Sequence, residues 1–205
     1  MNDLLLHQRE PCVHTLGPGA RYCLWVQGCG RKCPGCTSPA SQEMEGGYRM
    51  SAGALATEIA LSEATGLTIS GGEPFLQAQA LADMLHILRH DHGRDVGVIV
   101  YTGFCLEELE SVPGAQALLA QTDLLIDGPY IRELDDGKSL RGSSNQRVWP
   151  LTPRYNKPEI LSLYGAEGRE VEYFLHASGL NCVGVANHLS QRFNPYNPPG
   201  ASGHT

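Results

Sequence analysis

Residues 67–74 read Leu-Thr-Ile-Ser-Gly-Gly-Glu-Pro, a short apolar segment that is followed at once by a glycine turn. A run of this length with β-branched residues is typical of a buried strand. The same order recurs where residues 96–101 are followed by Thr102-Gly103, and where residues 124–126 are followed by Asp127-Gly128. Helical patterns separate these strands. The sequence therefore predicts an α/β fold with a parallel sheet and crossover helices.

Amphipathic helices are predicted between the strands. Ser51 is a candidate N-cap for a helix that has Leu55 and Ile59 on its apolar face. A second helical pattern places Leu81, Met84, Leu85 and Leu88 on one face, and residues 106–119 form a third helical candidate. Upstream, residues 22–27 are a compact apolar strand that leads into a loop, residues 28–39, which is too rich in Gly, Pro and Ser to be regular.

The glycine turns are expected to face one site, because α/β folds place ligands at the carboxyl ends of their strands. Gly71 and Gly72 have no Cβ atoms, so backbone and a polar ligand can come close together there. Glu73, which precedes Pro74, can accept hydrogen bonds from an ammonium group. Residues 71–74 are therefore a candidate ligand site.

Three of the seven cysteines, Cys29, Cys33 and Cys36, lie within eight residues. This spacing lets one loop present three thiolates to an iron-sulfur cluster and leaves one iron without a protein ligand. The alternative is a structural zinc site, which needs a fourth ligand such as Cys23 or Cys12. Either way, clustered cysteines indicate a metal site in a reducing compartment rather than a disulfide framework. The cysteines alone leave iron-sulfur cluster and zinc open.

Charge and hydropathy exclude several kinds of partner. The chain has 205 residues, with 15 basic and 22 acidic side chains and a net charge of −7, and it has no Lys/Arg run. We therefore expect no nucleic-acid partner. The longest apolar stretch, residues 96–101, is far shorter than the roughly 20 residues that span a bilayer, and the N terminus lacks a signal-peptide pattern. We expect a cytoplasmic protein without membrane contact.

Several motifs follow one another between about residues 14 and 150. They are Gly17-Pro18-Gly19 with Arg21, Cys-x3-Cys-x2-Cys, Ser70-Gly-Gly-Glu-Pro74, Tyr101-Thr-Gly-Phe104, Ile126-Asp-Gly-Pro-Tyr130 and Leu140-Arg-Gly-Ser-Ser-Asn-Gln-Arg147. In this order they resemble the radical S-adenosylmethionine superfamily. Within it, they look like the glycyl-radical activating branch and its activating proteins of anaerobic ribonucleotide reductases.

The resemblance implies an incomplete, open parallel β/α barrel with a C-terminal β-hairpin appendage. It implies a [4Fe-4S] cluster on the three clustered cysteines, with S-adenosyl-L-methionine on the open iron and its ammonium group at residues 71–74. Thr102 and Asp127 are expected to contact its ribose or carboxylate, and Asp127 is a plain turn residue in the alternative. Asn145 either caps a helix or lines the site. No catalytic side chain is expected beyond the cluster and adenosylmethionine site.

The implied reaction is reductive cleavage of adenosylmethionine to methionine and a 5′-deoxyadenosyl radical. The radical then abstracts a glycine Cα hydrogen and so activates a glycyl-radical enzyme of the anaerobic ribonucleotide reductase type. A flavodoxin or ferredoxin is the expected electron donor. One alternative keeps this chemistry but modifies a peptide or another protein. An alternative of another class is a non-catalytic zinc- or iron-sulfur-binding module, and the turn at residues 71–74 favours the enzymes.

Three segments are expected along the chain: a radical S-adenosylmethionine core at residues 1–150, an extension at 151–193 and a disordered tail at 194–205. Residues 171–176 and 181–185 of the extension form a predicted hairpin. The tail is rich in Pro, Gly, Asn and Ser. The extension continues past the point where minimal members of the resembled family end, and Thr37 stands where they usually carry an aromatic residue.

Overall fold

The computed structural model describes residues 3–177 and 179–185, which form a large sheet, a layer of helices and a small hairpin. In chain order the elements are β1 (Asp3–Val13), β2 (Arg21–Val26), β3 (Tyr48–Ser51), α1 (Ala52–Leu61), β4 (Gly66–Gly71), α2 (Ala78–His90), β5 (Gly97–Tyr101), α3 (Ala115–Leu119), β6 (Leu124–Asp127), β7 (Arg147–Pro150), α4 (Pro158–Leu161), β8 (Val171–His176) and β9 (Gly179–Gly184). The predicted disordered tail at 194–205 lies outside the described residues.

The large sheet has seven strands in the order β3-β1-β2-β4-β5-β6-β7. Its central strands β2, β4, β5 and β6 are parallel, which confirms the α/β prediction for the middle of the sheet. Antiparallel strands extend it on both sides, because β1 pairs with β2 and β3 while β7 pairs with β6. The sheet is therefore mixed. Strands β8 and β9 form the predicted hairpin.

Strand β1 has no counterpart among the strands predicted from the sequence, although it contains 11 residues. Its buried positions Leu4 and Leu6 alternate, as they do in a strand with one buried face. The alternation then fails, because the pairing with β2 shifts register between Leu6 and Gln8 and again between Glu10 and Val13. A bulge of this kind hides a strand from a search for strict alternation.

The prediction of one continuous helix over residues 106–119 is wrong. A 3₁₀ turn at Leu106–Ser111 and the short helix α3 occupy this range instead. Pro113 disfavours helical backbone at the preceding residue, and Gly114 adopts a positive φ of 77°. The chain therefore bends between the two pieces.

Helices α1, α2 and α3 cover one face of the sheet. The predicted apolar face of α2 is confirmed, because Leu81, Met84, Leu85 and Leu88 are all buried in the main core. The predicted cap of α1 is also present, with the Ala54 amide donating to the Ser51 hydroxyl over 3.2 Å. None of the helices in the described ranges has the length and apolar character of a membrane-spanning segment.

The other face of the sheet carries a fully buried arginine, Arg21, at the start of β2. Its guanidinium donates to the Tyr155 hydroxyl at 3.0 Å and to the carbonyls of Leu67 at 2.6 Å and Gly97 at 3.0 Å. The side-chain hydroxyl of Thr68 accepts a further bond. One side chain thus joins three neighbouring strands to the segment after β7.

Replacing Arg21 with methionine is expected to lower the free energy of unfolding by about 3 kcal/mol or more, because each buried acceptor left without a donor costs about 1–3 kcal/mol. Urea denaturation followed by circular dichroism measures the change. Arg49→Met is the matched control, because Arg49 is exposed on edge strand β3. It is expected to change the free energy of unfolding by less than about 0.5 kcal/mol. Equal effects of the two substitutions would contradict the assigned role of Arg21.

Candidate cluster and cofactor site

A cavity opens at the carboxyl ends of the parallel strands and collects most of the residues that the sequence singles out. Its lining consists of Leu16, Trp25, Cys29, Arg31, Cys33, Cys36, Thr37, Gln42, Ser70, Gly71, Gly72, Glu73, Tyr101, Thr102, Gly103, Gly128, Tyr130, Gly142, Gln146, Gly184 and Val185. The fold thus brings the cysteine loop after β2 together with the turns after β4, β5 and β6. The expectation that these turns face one place agrees with this geometry.

Cys29, Cys33 and Cys36 all line this cavity. The Cys36 amide donates to the Cys33 carbonyl over 3.2 Å, and the Ser38 amide points at the Cys36 sulfur at 3.4 Å. Burial raises the pKa of the Cys36 thiol, and the neighbouring Cys33 and Cys29 raise it further. Binding a metal there requires loss of the thiol proton, so metal binding is coupled to deprotonation.

The other two candidate ligands lie elsewhere. Cys23 is fully buried against Val13 and Leu16, and burial raises its pKa to about 12. Cys12 is exposed on β1. Neither lines the cavity that holds the three clustered cysteines. Within residues 3–177 and 179–185, no three His, Cys, Asp or Glu side chains converge as the ligands of a single metal ion do.

The cysteine loop and the glycine turn touch through their backbones. The Glu73 amide donates to the Gly28 carbonyl over 2.8 Å, and the Gly72 amide donates to the Val26 carbonyl over 2.7 Å. A Cβ atom on Gly72 would lie 2.3 Å from the Gly28 carbonyl oxygen. Only glycine fits at this position, as expected for a turn that must approach another backbone closely.

The carboxylate of Glu73 is buried and already accepts several protein hydrogen bonds. Its Oε1 accepts from the Thr102 hydroxyl at 2.8 Å and the Phe75 amide at 3.0 Å, while Oε2 accepts from the Gly103 amide at 2.8 Å. Burial raises the pKa of Glu73, and these donors oppose the rise. Pro74, also buried, starts the 3₁₀ turn Pro74–Gln77. The carboxylate therefore ties the turn after β4 to the turn after β5.

Thr102 and Asp127, the two remaining candidate cofactor contacts, lie in different places. Thr102 lines the cavity, but its hydroxyl is engaged, since it donates to Glu73 and accepts from the Phe104 amide at 3.1 Å. Asp127 is fully buried outside the cavity lining. Its carboxylate accepts from the Arg147 guanidinium and from the Leu106 amide at 2.7 Å. Asp127 thus holds neighbouring segments together beneath the site.

Residues that pattern reasoning left out also line the cavity. Arg31, inside the cysteine loop, packs its guanidinium over the Phe104 ring at 4.6 Å and donates to Glu108 at 2.8 Å. Its buried Nε has no hydrogen-bond partner within the described residues. Gln146 donates to the Gly128 carbonyl at 2.9 Å, whereas its neighbour Asn145 donates to the Pro129 carbonyl and lies outside the lining. The sequence signal that could have identified Arg31 is a cationic residue in the three-residue gap between Cys29 and Cys33.

The chain is similar to anaerobic ribonucleoside-triphosphate reductase-activating proteins from several sources. The one from Vibrio cholerae serotype O1 is 34% identical over 153 residues, which are 71% of this chain and 97% of the relative. The one from Enterobacteria phage T4 is 31% identical over 147 residues, covering 69% of this chain and 91% of the relative. The chain belongs to this activating-protein family.

A family model described as a 4Fe-4S single cluster domain matches residues 15–149 of this chain. The Escherichia coli K12 relative, 30% identical over 154 residues, is likewise covered over 97% of its length. The match contains the cysteine loop and the turns after β4, β5 and β6. It stops before the hairpin β8–β9, so the hairpin lies outside the part that the family description covers.

Proposed function

We propose that this protein is a radical S-adenosylmethionine enzyme that activates an anaerobic ribonucleotide reductase by creating a glycyl radical on it. The observation that carries the proposal is the backbone contact between the cysteine loop and the Gly71-Gly72 turn inside one cavity. A cluster on the cysteines and a ligand on the turn would lie side by side there. Relatives that are named as activators of this reductase support the same reaction.

The residues present fit a [4Fe-4S] cluster held by Cys29, Cys33 and Cys36. A single zinc ion draws its sulfur ligands to about 2.3 Å from one point, whereas a cluster places each thiolate on a different iron. The three thiols line one cavity, as the three protein ligands of one cluster must. Cys23 and Cys12, the two candidates for a fourth zinc ligand, lie outside this cavity. These placements favour the cluster over a structural zinc site.

The turn at residues 71–74 would hold the methionyl end of S-adenosylmethionine. The two glycines offer close backbone approach, and Glu73 fixes the turn and adds negative charge next to the ammonium group. When bound, cluster and adenosylmethionine supply reductive cleavage of the sulfonium bond and a 5′-deoxyadenosyl radical that takes a glycine Cα hydrogen. The protein supplies position, local charge and exclusion of water.

The central parallel strands are proposed to form part of an incomplete, open barrel, with residues 1–150 as core and 151–193 as an extension. Asp127 and Thr102 are proposed as braces of the turns rather than direct ligands, because their polar atoms are engaged by protein partners. A flavodoxin or ferredoxin is the proposed electron donor, and the cytoplasm the proposed compartment.

The test is anaerobic reconstitution with iron and sulfide, followed by dithionite and S-adenosylmethionine. We expect charge-transfer absorption in the visible and release of 5′-deoxyadenosine. With an anaerobic ribonucleotide reductase present, we expect a glycine-radical doublet in the electron paramagnetic resonance spectrum that appears only when adenosylmethionine is added. Colourless protein with bound zinc would refute the radical chemistry. Cleavage without the doublet at full cluster occupancy would favour a peptide or another protein as substrate.

A further inference from the structure

We propose that the hairpin β8–β9 is part of the cofactor site and that, with Leu16 and Trp25, it forms the wall that receives the adenine ring of S-adenosylmethionine. The inference rests on the proposed function. The hairpin contributes Gly184 and Val185 to the cavity lining, although it lies outside the residues that the family description matches. The extension after residue 150 would then form part of the cofactor site.

The cavity has two chemically different sides. The thiols, the glycine turn and Glu73 form its polar part, while Leu16, Trp25 and Val185 belong to one apolar cluster. Adenosylmethionine has the matching division, with a charged methionyl end and a flat apolar adenine. Bases stack favourably on aromatic side chains, and of the aromatic lining residues Trp25, Tyr101 and Tyr130 it is Trp25 that packs with the hairpin, so we assign the adenine to its indole. The polar end is then left at residues 71–74.

The apolar wall depends on the hairpin. Val183 is buried against Val13 and Leu16, and Phe174 packs against the same cluster as Trp25. Gly184 has a φ of 140°, and a Cβ atom there would lie 2.4 Å from the Glu170 carbonyl oxygen. A glycine is therefore required where the chain leaves β9 to bring Val185 into the cavity.

Two carboxylates fasten the hairpin to the sheet. Glu172 of β8 accepts from the His14 amide at 2.7 Å and from the amide and hydroxyl of Thr15 at 3.0 Å and 2.9 Å. Glu10 of β1 is 1% exposed. Its carboxylate lies 2.7 Å from Nε2 of His176 and accepts from the side-chain Nδ2 of Asn181 at 2.8 Å. Both ends of the hairpin are therefore held, and Val185, which follows β9 directly, packs against the cluster of Val13 and Leu16.

The test uses the full-length protein with a reconstituted cluster. Val185→Asp places a charge in the wall, and Leu175→Asp is the matched control because Leu175 lies in the same hairpin and is 84% exposed. Titration calorimetry with S-adenosylhomocysteine is expected to show about tenfold weaker binding for V185D, the scale of about 1.4 kcal/mol. The control is expected to bind like the wild type, and iron content is expected to be equal in all three proteins.

A second readout observes the wall directly. The chain has two tryptophans, so Trp149→Phe leaves Trp25 as the only one, and 5-fluorotryptophan then gives a single fluorine resonance. We expect S-adenosylhomocysteine to shift this resonance and methionine, which lacks adenine, to leave it in place. Equal shifts with both compounds, or no shift while calorimetry detects S-adenosylhomocysteine binding, would overturn the inference.

Glu172→Ala keeps the inference testable where V185D does not fold. Loss of this clasp is expected to speed amide hydrogen exchange in β8 and β9 and to weaken S-adenosylhomocysteine binding. Faster exchange with unchanged binding would show that the hairpin is no part of the site. If the wild type cleaves adenosylmethionine and the variants bind S-adenosylhomocysteine as the wild type does, this inference is refuted and the proposed function stands. A wild type that binds no adenosyl compound refutes it together with the proposed function.

Discussion

Replacing Cys33 with serine is expected to abolish adenosylmethionine cleavage and the visible absorption of the reconstituted protein. A serine hydroxyl does not supply the thiolate that the iron requires, and Cys33 lies in the cavity between the other two clustered cysteines in the chain. We expect a loss of well over about 100-fold, more than removal of an outer-shell partner costs. Iron analysis, the visible spectrum and the yield of 5′-deoxyadenosine measure it.

The matched control is Cys12→Ser, because Cys12 is exposed on β1 and lies outside the cavity. Iron content and cleavage are expected to stay at the wild-type level. The same variant separates the cluster from the zinc interpretation, since Cys12 is one of the two candidates for a fourth zinc ligand. Loss of metal in C12S, or full iron content in C33S, would contradict the assigned ligand set.

Gly72→Ala is expected to have the second-largest effect. The added Cβ atom would lie 2.3 Å from the Gly28 carbonyl and 2.8 Å from the Ser41 carbonyl, so the turn must move away from the cysteine loop. Overpacking of this kind typically costs about 1–3 kcal/mol of stability. Because the shift separates cluster and ligand sites, we expect cleavage to fall by about 100-fold, as displacements near 1 Å do in other active sites.

Gly30→Ala is the matched control, because Gly30 lies in the same cysteine loop and nothing lies within 4 Å of the position its Cβ would take. Activity and thermal stability of this variant are expected to remain near the wild type. Thermal denaturation and 5′-deoxyadenosine yield, measured side by side, compare the two. Activity of G72A equal to that of G30A would mean that the close approach of turn and loop has no part in the site.

The central strands and the main helices were predictable because their residues carry local signals. Residues 67–74 show an apolar run that ends in glycines, and α2 repeats apolar side chains at helical spacing. Strand β1 and the break between residues 106 and 119 were not predicted correctly. The bulge in β1 disturbs its alternation, and the pair Pro113-Gly114 outweighs the helical pattern around it. In both places backbone irregularities cancelled a periodic signal.

The candidate site was predictable as a set of motifs but not as a set of contacts. Cys29, Cys33 and Cys36 line one cavity with the turn at residues 71–74, as expected. Asp127 follows a strand as Thr102 does, yet its carboxylate points to Arg147 and Leu106 instead of the cavity. Position after a strand places a residue at the correct edge of the sheet. It does not decide where the side chain points, because that depends on the partners that the folded chain supplies.

The sequence by itself determined the chemistry that this protein can hold: three thiolates in one loop, a glycine turn with an acid, and an α/β framework that brings strand ends together. These properties follow from residue type and spacing, which are local. Only the tertiary structure decided that Gly72 lies against the Gly28 carbonyl and that the Glu73 carboxylate accepts hydrogen bonds from protein donors. It also decided that Val185, after the hairpin, lines the cavity. Such contacts join residues far apart in the chain, so packing alone fixes them.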